Sequence, residues 1–398
     1  MTSDTLSRRT VTFVNIAHAF DHFVLLIYPT AVLAIAVERG LDYSTLITLA
    51  TGAFVAFGLC SLPMGWIAEV VGRRNMLAAF FLGYGASCIA MAACTSSWSL
   101  AACLLVLGVF SAIYHPIGSA MLVSHARQLG RDLGWNGVWG NLGAAFASAV
   151  TAVLAAKFGW RWAFVVPGAV CIAVGIAFLM LVPGDGNPAK REKVAGTILE
   201  SSRLVTLLAI LAIAIIAGGM TFNITTIALP KVIDEGIGIS LPLVLTGSLA
   251  TAVFIGGALT QLAVGRLLDR YSLPTVFFGL ALLQPLGLAL AAATIGAPML
   301  VGLLIITAAI YGQVVINDAM VARYIPEKYR AKAFSVRYFL GFTASGFAAP
   351  LIAWLHSQGG FPLVLNVAGL FGVAVAVCAL AFSVITYSRR STAMAAAE

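Results

Sequence analysis

Long apolar runs separated by short polar or Gly/Pro-rich gaps fill the chain from residue 11 to residue 387. Twelve runs stand out, at 11–37, 43–69, 75–95, 98–124, 134–157, 160–182, 204–230, 240–264, 272–294, 298–323, 331–356 and 361–387. Roughly 20 apolar residues suffice for a helix to cross a bilayer, and the longer runs allow tilt or extension beyond the hydrocarbon. Lipid offers the backbone no hydrogen-bond partners, so every run is expected to be helical. The pattern predicts an all-α membrane protein with twelve transmembrane helices.

Composition agrees. The 398 residues are 61% hydrophobic and 10% charged, against about 25% charged in a soluble protein, and the mean hydropathy is +1.00. The net charge of +8 raises nucleic acid as a partner. Its residues are few and sit in the gaps between apolar runs, which is a topology signal instead. With the N-terminus inside, eighteen Lys and Arg fall in inner segments and four (Arg39, Lys157, Arg161 and Lys231) in outer ones, with Arg337 left inside a helix. That bias places both termini in the cytoplasm. Arg8 and Arg9 precede the first run as in a signal peptide, but the run is too long for a secretory h-region and reads as a retained first span. The six cysteines lie in apolar runs without a CxxC, so neither disulfides nor a cysteine metal site are expected.

The longest charged gap, 183–203, separates six spans from six. It reads as a cytoplasmic linker between a six-helix unit at 1–182 and another at 204–398. The halves echo one another. GWIAEVVGRR (65–74) and GRLLDRYSLP (265–274) share a glycine, an apolar pair and an acid at an offset of 200, and AIYHPIGSAM (112–121) and AIYGQVVIND (309–318) match at 197. Each pair occupies the same place in its half. Two like halves are the arrangement of an alternating-access transporter.

Here the chain resembles the major facilitator superfamily, whose loop after the second helix reads roughly G-x-x-x-D-[RK]-x-G-[RK]-[RK]. Gly65, Glu69, Gly72, Arg73 and Arg74 fit it, with Glu69 in place of aspartate and Val70 in place of a basic residue. The second half keeps Gly265, Asp269 and Arg270 and departs at Ser272 and Leu273. The resemblance implies two pseudo-symmetric six-helix bundles. It also implies a conformational latch, with Glu69 accepting from a helix N-terminus of the other half or pairing with Arg73. The plainer reading of Arg73 and Arg74 is a topology anchor. Within the superfamily the chain is similar to the fosmidomycin-resistance type of drug exporter, on His18-x-x-Asp21 in the first helix and Tyr114-His115-Pro116-x-Gly118 in the fourth. An arginine in the fourth helix and a Gly-Pro in the fifth, common in drug exporters, are absent.

Ionisable groups inside the spans are the candidate chemistry. Asp21 lies about ten residues into the first run, near 15 Å at 1.5 Å per residue. His18 and His22 are one turn apart, and Asp21 borders their face. The three are expected to form a proton-responsive gate or substrate contact. The alternative is a hydrogen-bonded knot that fixes packing, and a metal site is not expected because no second cluster is evident. His115, beside Pro116, is a cavity or a packing residue. Asp318 and Arg337 lie about ten residues either side of a hairpin centre near 327 and should pair. The pair reads as a structural bridge, an anion site on Arg337, or a partner-exchanging pair. Tyr28, Tyr114, Asn141, Asn223, Gln313 and Asn317 are cavity candidates, although membrane amides often join helices instead.

No HExxH, GxSxG or nucleotide-binding loop occurs, so an enzyme is not expected, and no cofactor is implied. The expectation is a proton-coupled secondary transporter in a bacterial inner membrane. It functions as a monomer, takes a small molecule and protons as partners, and exports a small polar or amphipathic organic compound. An importer of a small organic anion is the rival.

Overall fold

The computed structural model describes residues 3–125, 129–183, 202–324 and 327–395, and every described element is a helix. The linker expected at 183–203 falls almost wholly outside these residues. Eleven helices are long and apolar enough to cross a membrane. Ten are α1 (Thr5–Arg39), α2 (Tyr43–Val71), α3 (Arg73–Ala93), α4 (Ser97–His125), α5 (Gly134–Phe158), α6 (Trp162–Leu181), α7 (Ala209–Gly236), α8 (Leu243–Arg270), α9 (Leu273–Ala293) and α10 (Gly296–Met320). The eleventh, Phe339–Thr386, runs for 48 residues, about 70 Å at 1.5 Å per residue and far more than one crossing needs. It breaks where Gly359 and Gly360 leave helical geometry, Gly360 at φ 64. The segment therefore crosses twice, as α11 (339–358) and α12 (361–386), which gives the twelve expected spans. Most boundaries shift from the sequence reading by only a few residues.

The internal repeat persists in three dimensions. Met64 and Ala68 are buried on α2, as Val264 and Leu268 are on α8, while Glu69 and Asp269 are exposed at matching places. Tyr114 and Tyr311, equivalent at the second offset, are both fully buried. Local geometry explains where the two motifs diverge. Gly72 joins α2 to α3 at φ 88, ψ 142, a backbone region that side chains avoid. The equivalent turn passes through Ser272 at φ −66, and the Ser272 hydroxyl accepts from Thr275 N–H to cap α9. Glycine is required at the first turn and not at the second.

Two bundles meet along α2 with α11 and along α5 with α8. Small residues permit the approach. A Cβ at Gly58 would lie 2.8 Å from the Phe342 carbonyl oxygen, and one at Gly247 would lie 2.6 Å from the Ser148 carbonyl oxygen. Among the described residues, the side-chain bonds across this seam run from its middle toward one end of the molecule. Ser44 Oγ lies 3.0 Å from His356 Nδ1, Ala149 N–H donates to Thr251 Oγ1 at 3.1 Å, and Asn141 Nδ2 donates to Gln261 Oε1 at 2.5 Å. Toward the other end, a Cβ at Gly65 or Gly265 would meet nothing within 4 Å. Trp66, Val70, Leu259 and Leu262 are exposed there.

Candidate functional site

Two proline-linked breaks shape the polar centre of the first bundle. Pro29 has no N–H for the carbonyl four residues earlier, and α1 interrupts at Leu26, one turn beyond His22. Pro116 acts in the same way on α4, where Ala112 and Ile113 leave the helix between Ser111 and Tyr114. Ser111 and His115 thus flank a bend, and both reach Asp21. Ser111 Oγ donates to Asp21 Oδ1 at 2.6 Å, while His115 Nε2 stands 3.3 Å from Asp21 Oδ2, out of line for a hydrogen bond. Asp21 is completely buried, and Tyr84 donates its hydroxyl to the Asp21 carbonyl at 3.0 Å.

His18 is fixed from the far side. Its Nδ1 lies 2.8 Å from the Asn136 carbonyl oxygen. A carbonyl only accepts, so Nδ1 carries the proton, and in the neutral ring Nε2 keeps its lone pair. That lone pair faces His22 Nε2 at 3.1 Å. The Asn136 side chain is held by Asn15 Oδ1 at 2.9 Å and exchanges hydrogen bonds with the Tyr114 hydroxyl at 3.0 and 3.1 Å. Tyr114 also stacks on the His18 ring at 4.8 Å. The fold therefore adds His115 to the expected trio and anchors the group through Asn15, Asn136, Ser111 and Tyr84. Asn136 acts mainly through its backbone carbonyl, which no side-chain pattern reveals.

The glycines of α5 make room for this group. A Cβ at Gly140 would fall 2.5 Å from His18 Nε2, and one at Gly143 would fall 2.0 Å from the Ala19 carbonyl oxygen. A side chain can swing aside, whereas helix backbone cannot. Gly143→Ala is expected to lower stability by about 1–3 kcal/mol, in the range of overpacked cores, and Gly140→Ala by less while displacing His18. Thermal unfolding of the purified variants checks the order.

A second polar group lies in the other bundle. Arg337 on the segment leading into α11 pairs with Asp318 on α10, as the hairpin spacing predicts. Arg337 is 9% exposed and Asp318 is 46% exposed at the side chain, so the carboxylate faces open space. Gln313 donates to Asn317 Oδ1 at 2.9 Å, and Gln284 lies 3.5 Å from Gln313. The two groups approach across the seam. Phe342 of the second bundle covers the His115 ring at 4.6 Å, alongside Phe57 at 5.8 Å.

Other candidates have separate places. Tyr28 is buried and donates to the Leu46 carbonyl at 2.7 Å, tying α1 to the start of α2. Asn223 donates to Gly219 within its own helix. Asn141 bridges the bundles through Gln261, which in turn donates to the Tyr311 carbonyl at 3.2 Å. Arg74 donates to the Leu179 and Val182 carbonyls at 2.6 Å each and so caps the C-terminus of α6 inside its own half. Glu69, Asp269 and Arg270 are exposed.

The comparisons with known proteins agree with the fold. The family profile described as Major Facilitator Superfamily matches residues 11–317 and 211–396. The chain is 24% identical over 164 residues to the membrane sensor protein UhpC of Escherichia coli (strain K12), covering 40% of this chain and 37% of that protein. It is 27% identical over 162 residues to the puromycin resistance protein pur8 of Streptomyces alboniger, covering 39% and 32%. The chain thus spans about a third of the length of the curated relatives it matches. Among solved structures, it is similar to a bacterial homologue of the human lysosomal transporter Spinster in an inward-facing and occupied conformation. The TM-score is 0.78 at 12% identity, with 95% of this chain and 97% of that one covered. A D-xylose–proton symporter matches with TM-score 0.69 at 15% identity over 93% and 95%.

Proposed function

The chain belongs to the Major Facilitator Superfamily, and from that premise we propose that it is a proton-coupled secondary transporter that exports a small polar or amphipathic organic compound by alternating access. The observation that carries this reading is that each bundle places an ionisable group beside the seam, with Phe342 of the second bundle against His115 of the first. His18, Asp21, His22 and His115 form the gate or substrate contact of the first bundle, and Asp318 with Arg337 forms the exchanging pair of the second. Arg337 cannot shed its proton, whereas half-exposed Asp318 can gain one. A proton on Asp318 frees the guanidinium to turn toward the His115 side of the seam or toward an anionic group on the substrate. His18-x-x-Asp21 and Tyr114 to Gly118 support a place beside the fosmidomycin-resistance exporters.

The bias of Lys and Arg puts the motif ends of α2 and α8 in the cytoplasm, together with both termini. The seam is bonded at the opposite end, so the conformation described is inward-facing. In the outward-facing state Gly65 and Gly265 allow the cytoplasmic ends to close. There Glu69 with Gly72 and Arg73 in one half, and Asp269 with Arg270 in the other, serve as the latch. A bias of a few kcal/mol is enough to select one state. The membrane is the bacterial inner membrane, and the monomer is the working unit.

The test is reconstitution into vesicles with an imposed pH gradient and a panel of organic cations, anions and zwitterions. An exporter working by antiport accumulates its substrate when the vesicle lumen is acidic. Accumulation driven only by an acidic exterior supports the importer of a small organic anion, for which Arg337 is the suitable contact. Uptake indifferent to both gradients rejects proton coupling.

A further inference from the structure

We propose that His18, His22 and His115, with Asp21, form a binding site for one divalent first-row transition-metal ion. One nitrogen from each of the three imidazoles lies within 4.8 Å of the other two. Tetrahedral coordination at about 2.0–2.1 Å sets ligand nitrogens roughly 3.4 Å apart. The His18 and His22 nitrogens, at 3.1 Å, are already near that spacing, and the most distant pair must close by about 1 Å or a little more.

Three independent features favour an ion over a packing knot. The outer face of His18 has the arrangement that orients a metal-binding histidine, with Nδ1–H held by a backbone carbonyl and Nε2 left to ligate. That carbonyl belongs to Asn136, itself pinned by Asn15 and Tyr114. Next, Asp21 Oδ2 is a buried carboxylate oxygen with no hydrogen bond, beside His115 Nε2. Such an oxygen calls for a cation nearby; Asp21 stands outside the set of mutually close nitrogens and offsets the charge of a bound ion. Finally, Phe57 and Phe342 cover His115 with apolar surface, excluding the water that would otherwise hydrate an ion. Three neutral imidazoles, with a carboxylate beside them, suit Zn²⁺, Co²⁺, Ni²⁺ or Cu²⁺ rather than Mg²⁺ or Ca²⁺, which prefer all-oxygen sets. The site stands on this geometry, independently of which organic compound the protein moves and of proton coupling.

The experiment is equilibrium binding to the purified full chain in lipid nanodiscs, prepared with an affinity tag free of histidine, at mildly alkaline pH. Co²⁺ is the probe, read by the visible d–d bands of tetrahedral coordination, and Zn²⁺ is the competitor. One Co²⁺ per chain is expected, displaced by Zn²⁺. His22→Gln and His115→Gln should each weaken binding at least tenfold, whereas His125→Gln, remote on α4, should leave it unchanged. Absence of these bands in the wild-type protein, or binding that survives His115→Gln at full affinity, overturns the proposal. Should a variant fail to fold, thermal stabilisation of the wild-type protein by Zn²⁺, reversed by chelator, supports the site, and no Zn²⁺-dependent shift counts against it.

Discussion

Vesicles carrying Asp318→Asn are expected to show no substrate accumulation driven by a pH gradient, with flux falling to the level of empty vesicles. Exchange of substrate across vesicles at equal pH should survive. Asparagine keeps the size and one hydrogen-bond acceptor for Arg337 but cannot alternate between charged and neutral forms, so only the driven process stops. Wild-type accumulation in this variant would remove Asp318 from the coupling step. Stability supplies a second arm. Arg337 is 9% exposed and permanently charged, whereas Asp318 is 46% exposed and can be neutralised by a proton. Asp318→Ala and Arg337→Ala should each destabilise by breaking the pair. Stranding one partner of a well-buried pair costs about 3–5 kcal/mol, and the exposure of Asp318 places this pair at or below the low end. Unchanged thermal unfolding in both variants would show that the pair adds nothing to stability.

Gly247→Ala is expected to shift the protein strongly toward the conformation opened at the other end. A Cβ at 247 would sit 2.6 Å from the Ser148 carbonyl oxygen and 2.5 Å from the Ala152 Cβ, and both belong to the opposite bundle. The clash exists only while α5 and α8 are closed at this end. An overpacking cost of about 1–3 kcal/mol applied to one state alone changes the ratio of states by roughly 5- to 150-fold. Ser44, bonded across the same closed end to His356, provides the readout. In a background without native cysteines, Ser44→Cys should react with a membrane-impermeant maleimide far faster when Gly247→Ala is present. Equal rates would show that this end opens without separating α5 from α8.

The spans were readable because lipid leaves the backbone one solution, and hydropathy reports it almost directly. The break at Gly359 and Gly360 was readable for the same reason, since an apolar stretch of 48 residues needs an interruption. The i, i+3, i+4 spacing of His18, Asp21 and His22 placed them on one side of α1. The hairpin arithmetic paired Asp318 with Arg337. His115 was visible as a polar residue beside proline, yet its approach to Asp21 depends on how α1 crosses α4, which no local spacing encodes. Asn136 was harder still, because its contribution to His18 comes from a carbonyl that every residue possesses. Arg74 was visible only through its motif. The motif resemblance put it in the latch motif or made it a topology anchor, and in this conformation its guanidinium donates to two carbonyls at the end of α6.

Phe342 belongs to one bundle and covers a histidine belonging to the other. On the alternating-access reading proposed above, whatever resides beside His115 is enclosed by a wall that withdraws in each cycle. Residence time and turnover are then governed by the same ring: a snugger cover slows both escape and cycling, and a looser one sacrifices retention for speed. Evolution can adjust this trade through a single aromatic position without altering any polar contact below it.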